Sequence, residues 1–288
     1  MKFRKIKYFF ILVLLGLAAY RIVSLFQEAF GVAEELPAYT IPPKHHDDTL
    51  RVAIIGDSWA HNHAEYQCDT LFEYYAKKIT SRPVKCVSKG HNGQKTKGVY
   101  MDMFANRPVK YEWERDYCTQ PLLEEHPDYC IVMAGINDLA RQVPPITYAE
   151  NYRQILQLLI SNGIRPVVME IPDFDVTAAC RMLGNYKYFC YRIVSIFTKA
   201  GWDTANYREA LQSMLRVTGL IEQVVYVAAD TWNPGGVYKQ PYLYQSDRSH
   251  LNQQGYHVLD LSLVKVLWDK VTRSMEMKCS LSEYCCSI

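Results

Sequence analysis

Five short apolar runs, separated by stretches with helical periodicity, constrain this chain more than any other feature. Leu50–Ile55 (LRVAII) is almost continuously apolar and ends on Gly56, and Pro83–Ser88, Asp128–Ala134, Arg165–Ile171 and Val224–Ala228 are further candidate strands. A strand with no polar alternation has no face to give to water, so it belongs inside a parallel sheet. Between the strands, Thr70–Ile79 reads as a helix. So does Tyr148–Ile160, with Ile155, Leu158 and Leu159 as its apolar positions and Asn162-Gly163 as its stop. Gln253–Met275 reads as a closing helix that buries Val258, Leu261, Val264, Val266 and Leu267. Strands alternating with helices predict a parallel sheet covered on both faces. Asp173–Leu215 breaks the rhythm, being too long for a simple crossover. It reads either as two helices with a turn or as a wall over a site.

The N-terminus carries a different signal. Tyr8–Tyr20 holds thirteen residues without a charge, and Ile22–Phe26 extends the run past Arg21. At about 1.5 Å per residue, residues 8–26 reach ~28 Å, close to the thickness of a hydrocarbon core. Lys2, Arg4, Lys5 and Lys7 precede the run, which favours a cytoplasmic N-terminus with the rest of the chain outside. Either a single-pass anchor or a signal peptide cut after Ala33 exports the remainder. The expected organisation is a membrane segment at 1–26, a proline-containing linker at 27–49, one domain at 50–276 and a cysteine-containing tail at 277–288. His45-His46-Asp47-Asp48 falls in the linker and reads as a solvated run.

The net charge of +2 is concentrated at the N-terminus, so the body is nearly neutral. No basic field argues for nucleic acid as a partner. Nine cysteines in an exported chain suggest disulfides, with at least one left over. A Cys180–Cys190 bridge across the insertion is one expectation, and Cys130, inside an apolar strand, is the best candidate for a plain core thiol. No paired C-x-x-C spacing occurs, so no zinc site is expected.

Ligands of open parallel sheets bind beyond the carboxyl ends of the strands. The first strand ends in Gly56-Asp57-Ser58-Trp59, the second in Ser88-Lys89-Gly90-His91-Asn92-Gly93-Gln94 and the third in Gly135-Ile136-Asn137-Asp138, while Asp247-Arg248-Ser249-His250 precedes the last helix. Each piece is weak alone, but the four in this order form a strong joint signal. The constellation resembles the SGNH (GDSL-like) hydrolases over roughly residues 50–275. Ser58 matches the serine of the G-D-S block, Gly93 the second-block glycine, Asn137 the asparagine of G-x-N-D, and Asp247 and His250 the D-x-x-H block. The resemblance implies a three-layer α/β/α sandwich with a parallel five-stranded sheet. It also implies a catalytic triad of Ser58, Asp247 and His250, with an oxyanion hole from the Ser58 and Gly93 backbone N–H groups and the Asn137 amide.

That chemistry is physically coherent. A serine hydroxyl is a poor nucleophile until a base takes its proton. His250 is the expected base, and Asp247, three residues earlier, reaches the imidazole if the segment makes one turn. Asp57 and Asp138 are expected to hold their loops by accepting backbone N–H bonds. His61 or His63 is a candidate to face the pocket, Arg141 to meet an anionic group, and Trp232-Asn233-Pro234-Gly235-Gly236 to line the cleft. The absence of G-x-S-x-G argues against the α/β-hydrolase fold. The expected activity is hydrolysis of O-acylated glycans or other esters through an acyl-serine, without metal or organic cofactor. An O-acyltransferase and a non-catalytic binding domain are the alternatives.

Overall fold

The computed structural model describes residues 2–198 and 200–268. Five strands, β1 (Leu50–Gly56), β2 (Val84–Gly90), β3 (Tyr129–Met133), β4 (Arg165–Met169) and β5 (Val225–Val227), form one parallel sheet in the order β2-β1-β3-β4-β5. They coincide with the five apolar runs, and the described part of the domain is the α/β/α sandwich that the strand pattern implies. The helices in chain order are α1 (Lys2–Phe30), α2 (Ser58–Glu65), α3 (Cys68–Thr80), α4 (Thr96–Asp102), α5 (Gln120–Glu124), α6 (Ile136–Ala140), α7 (Pro145–Ser161), α8 (Val176–Met182), α9 (Asn185–Thr198), α10 (Thr204–Val217), α11 (Gly236–Lys239) and α12 (253–268).

One layer is built around α7. Tyr148 and Tyr152 are buried there, the Tyr152 hydroxyl donates to the Val132 carbonyl at 3.0 Å, and the Tyr148 ring meets Tyr207 of α10 at 5.3 Å. On the other side of the sheet, Tyr256 of α12 donates its hydroxyl to the Trp59 carbonyl of α2 at 2.9 Å. On α12 the buried residues are Gly255, Tyr256, Leu259, Asp260, Leu263, Val264, Leu267 and Trp268, whereas Leu261 is 36% exposed. The buried stripe is thus phased about a third of a turn from the one expected. Aspartate at 260 hid the true face, because an ionisable residue at a core position is read as a surface one. Residues 269–275 of the expected closing helix, and the tail with Cys279, Cys285 and Cys286, lie outside the described residues.

β1 sits at the centre of the topology. β2 pairs on one side and β3 on the other, with Gly56 in register with both Gly90 and Met133. The direction of winding therefore reverses at β1, which opens a crevice at the carboxyl ends of β1 and β3. Gly56 is required there, since a Cβ on it would lie 1.9 Å from the Met133 carbonyl oxygen.

Tyr8–Phe30 within α1 is, by length and composition, long and apolar enough to cross a membrane. The segment after it is not a free linker. Ala33 N–H donates to Asn151 Oδ1 at 2.8 Å, the Tyr39 hydroxyl to the Met103 carbonyl at 2.7 Å and Ile41 N–H to Asn162 Oδ1 at 3.1 Å. The side chains of Asn151 on α7 and of Asn162 just after it capture this backbone, and prolines alone could not reveal that. The insertion is three helices, α8 to α10, instead of two. Cys180 and Cys190 are both free and buried, so the expected bridge is not formed. They pack as small apolar side chains in one cluster with Leu25 and Ala29 of α1. Cys130 is fully buried in β3, as its apolar run suggested.

Candidate active site

The G-D-S turn places its serine by a local device. Asp57 caps α2, its side chain accepting from Trp59 N–H at 2.9 Å, so Ser58 is the first residue of the helix. The residue after it is a clamp. Trp59 Nε1–H donates to the Ser249 carbonyl at 3.1 Å, and its ring meets Trp232 edge-on at 6.0 Å. These contacts tie the start of α2 to the loop before α12.

That loop is folded back on itself. Arg248 takes φ 60°, Gln245 N–H donates to the His250 carbonyl at 2.8 Å, and Tyr244 and Leu251 form an antiparallel bridge. The tight turn lets Asp247 Oδ1 accept the backbone N–H groups of Ser249 and His250 at 2.8 and 2.9 Å. Its other oxygen lies 2.6 Å from His250 Nδ1, and His250 Nε2 lies 2.8 Å from Ser58 Oγ. Hydrogen bonding to Asp247 raises the His250 pKa above 6.5, opposed by burial. Burial alone would raise Asp247, but the bonds from His250 and the two backbone donors hold it well below the usual carboxylate range. An imidazole braced in this way can accept the serine proton and remain stabilised once charged.

Two further loops converge on the same space. Gly93 adopts φ +75°, a conformation that favours glycine, and an Arg141 terminal nitrogen would lie 3.3 Å from a Cβ placed there. Among the described residues Arg141 forms no ion pair with a carboxylate. The Gly93 and Asn137 loops are locked together by Asp138, whose carboxylate accepts both the N–H and the hydroxyl of Thr96 at 2.8 Å. Asn137 Nδ2 donates to Asp57 Oδ2 at 3.3 Å, which leaves its second N–H for the cleft. Burial pushes Asp57 up to about 7 and Asp138 up to about 6. The part played by Asp57 in aiming Asn137 was not legible, since the two residues lie eighty positions apart.

Ser58, Gly93, Asn137 and His250 all line one cleft of about 500 Å³. The lining includes the polar side chains of Asn62, Tyr66, Asn92 and Gln245 and the apolar side chains of Ile136, Ala140, Ala179, Met182 and Leu183. The insertion contributes the last three. Trp232 and its loop do not line the cleft; the ring is buried against Trp59.

His63 does not face the cleft either. Its Nδ1 lies 3.0 Å from Asp69 Oδ1 and 2.8 Å from Ser88 Oγ, and its Nε2 lies 2.9 Å from Asp260 Oδ1. Burial would lower its pKa, but the Asp260 charge and the bonds to Asp260 and Asp69 push it up to about 9. Donor atoms of His63, Cys68 and Asp260 lie within 4.8 Å of one another. Both ring nitrogens are already engaged, however, and burial pushes the Cys68 thiol up to about 12, so a proton-filled network fits these residues better than a cation. A histidine raised in this way contributes stability that is fully present below 6.5 and is lost as pH rises through about 9. His63→Ala, which strands two carboxylates, is expected to cost ~3–5 kcal/mol near neutral pH. Urea denaturation should show that the gap between variant and parent narrows as pH rises past 9, and a constant gap would exclude the charged network.

The fold has solved counterparts at low identity. A candidate acylhydrolase from Bacteroides fragilis is 14% identical, with 80% of this chain and 91% of that one aligned and a TM-score of 0.50. A psychrotrophic esterase from Pseudoalteromonas sp. is 14% identical over 80% and 100% of the two chains, with a TM-score of 0.49. An acetylxylan esterase from Geobacillus stearothermophilus is 18% identical over 75% and 93%, with a TM-score of 0.48. Comparison with curated protein sequences gives no match. The model of the GDSL-like Lipase/Acylhydrolase family matches residues 54–258, a span that runs from β1 through Ser58, Gly93, Asn137, Asp247 and His250 into α12, and the chain belongs to that family.

Proposed function

We propose that this protein is an exported serine carboxylic-ester hydrolase, acting through an acyl-Ser58 intermediate on O-acylated, above all O-acetylated, glycans. The observation that carries the reading is the continuous hydrogen-bonded chain from Ser58 Oγ through His250 to Asp247, with Ser58 and His250 lining the cleft. In the first half-reaction His250 Nε2 takes the hydroxyl proton while Oγ bonds to the ester carbon. The carbonyl electron pair moves to its oxygen, which the backbone N–H groups of Ser58 and Gly93 and the Asn137 amide receive. Collapse expels the alcohol, which takes the proton from His250. Water then repeats the sequence on the acyl-serine, releasing the carboxylic acid and regenerating Ser58. The amide and phenol groups of the lining suit the hydroxyls of a sugar, and its apolar side chains suit the ring face and the acyl group.

The soluble esters p-nitrophenyl acetate and an O-acetylated sugar test this reading. Release of free acetate from both is expected. Acetate appearing on an added sugar acceptor instead would make the chain an acyltransferase, and turnover of neither would make it a binding domain. The basic N-terminus ahead of residues 8–26 supports a domain on the extracytoplasmic side. Alkaline phosphatase fused after Ile288 should then be active in cells, and an inactive fusion would reverse the orientation.

A further inference from the structure

The helical hairpin of the insertion has two apolar faces, and the protein covers only one. On its inner side, α9 buries Cys190, Tyr191 and Val194 against Leu25 and Ala29 of α1 and Cys180 of α8. On its outer side, Tyr186, Phe189, Ile196 and Phe197 are 56%, 63%, 74% and 60% exposed, with half-buried Ile193 between them. Steps of three and four residues set these side chains in one stripe along the helix. Exposed Lys187 and Arg192 flank it. Exposed apolar surface of this extent marks a contact with something outside the chain.

Its position in the fold says what that contact is. The Phe197 ring meets Phe26 of α1 edge-on at 5.2 Å, and Phe26 stacks on Phe30 at 6.1 Å. The α9 stripe is therefore continuous with the helix that is long and apolar enough to cross a membrane. Residues 8–20 of that helix stand clear of the domain, whereas contact with it begins around Arg21. Residues 8–26 span ~28 Å, so with Tyr8 at one edge of the hydrocarbon Phe26 lies at the other. Phe197, held against Phe26, is fixed at that same level.

We propose that the outer stripe of α9 is seated in the headgroup–acyl boundary of the bilayer that α1 crosses. Aromatic and aliphatic side chains flanked by Lys and Arg are the composition such a depth selects. The consequence reaches the cleft, because the same hairpin supplies part of its apolar lining through Ala179, Met182 and Leu183. The cleft then opens beside the membrane surface, and the ester it takes is one held there, such as an acylated amphiphile or a glycan carried on a lipid. The seating rests on residues 8–26 being retained as an anchor, and the substrate class rests on the esterase reading as well.

The test uses the full chain in vesicles of three parts phosphatidylcholine to one part phosphatidylglycerol. The vesicles are doped with a phosphatidylcholine that carries a diazirine near the headgroup end of an acyl chain. After photolysis, lipid adducts are expected on peptides covering 185–198 as well as 8–26. They should be absent from α3, whose exposed Tyr74 and Ile79 lie in the opposite layer. Phe189→Glu with Ile196→Glu should cut the α9 adducts about tenfold, and should lower hydrolysis of p-nitrophenyl palmitate embedded in the vesicles about tenfold relative to soluble p-nitrophenyl acetate. Adducts confined to 8–26 would overturn the seating. Equal loss on both esters would overturn the link to the substrate. If the parent chain hydrolyses neither ester, the esterase reading fails, while the adduct pattern still decides the seating.

Discussion

Ser58→Ala is expected to lower kcat for p-nitrophenyl acetate by ~10⁴–10⁶, and His250→Ala by a similar factor. The two act as a unit, since Oγ and Nε2 share one hydrogen bond of 2.8 Å, so the double variant should be no worse than either single one. Asp247→Asn should cost less, ~10³–10⁴, because Asp247 touches only the imidazole and its own turn. It should also leave a signature in the pH profile. The base works when neutral, so activity rises with pH through the His250 pKa, which Asp247 holds above 6.5. Removing that carboxylate takes away the main upward influence, so the acid limb should move to lower pH even as the plateau falls. Retention of more than about a tenth of kcat in Ser58→Ala would end the acyl-serine mechanism.

Asn137→Ala should reduce kcat by ~10²–10³ with little change in KM, because an oxyanion donor acts mainly on charge present in the transition state. The environment of Asn137 sharpens the expectation. One of its N–H groups is spent on Asp57 at 3.3 Å, which fixes the direction of the other. The Thr96–Asp138 pair holds the neighbouring Gly93 loop at a constant distance, so truncating Asn137 removes a donor without loosening the hole around it. Steady-state kinetics on the same ester give both parameters. A rise in KM at constant kcat would reassign Asn137 to substrate binding.

The division between what was legible in the chain and what was not follows the range of the forces involved. Strands β1, β3, β4 and β5 announced themselves because a buried parallel strand is apolar on both faces, a property of consecutive residues, whereas the edge strand β2 alternates buried and half-exposed positions. The residues of the cleft were legible for the same reason. Ser58, Gly93, Asn137 and the Asp247/His250 pair each lie within a few residues of a strand end or a helix start, where turn chemistry is local. The insertion was visible only as a length, and its third helix and free cysteines depended on which partners the fold delivered. The apolar N-terminal run was legible, but its docking on α9 was not, since nothing in Leu25 or Ala29 names Val194 as a neighbour.

The sequence by itself determined the strands and the identity of Ser58, Gly93, Asn137, Asp247 and His250, because those properties are written in short runs of consecutive residues. Only the tertiary structure decided where His63 goes, which face of α12 is buried and which helix walls the cleft. In each case a polar or apolar side chain has several acceptable environments, and the choice falls to whichever group the fold brings near, as Asp260 is brought to His63 from 197 positions away.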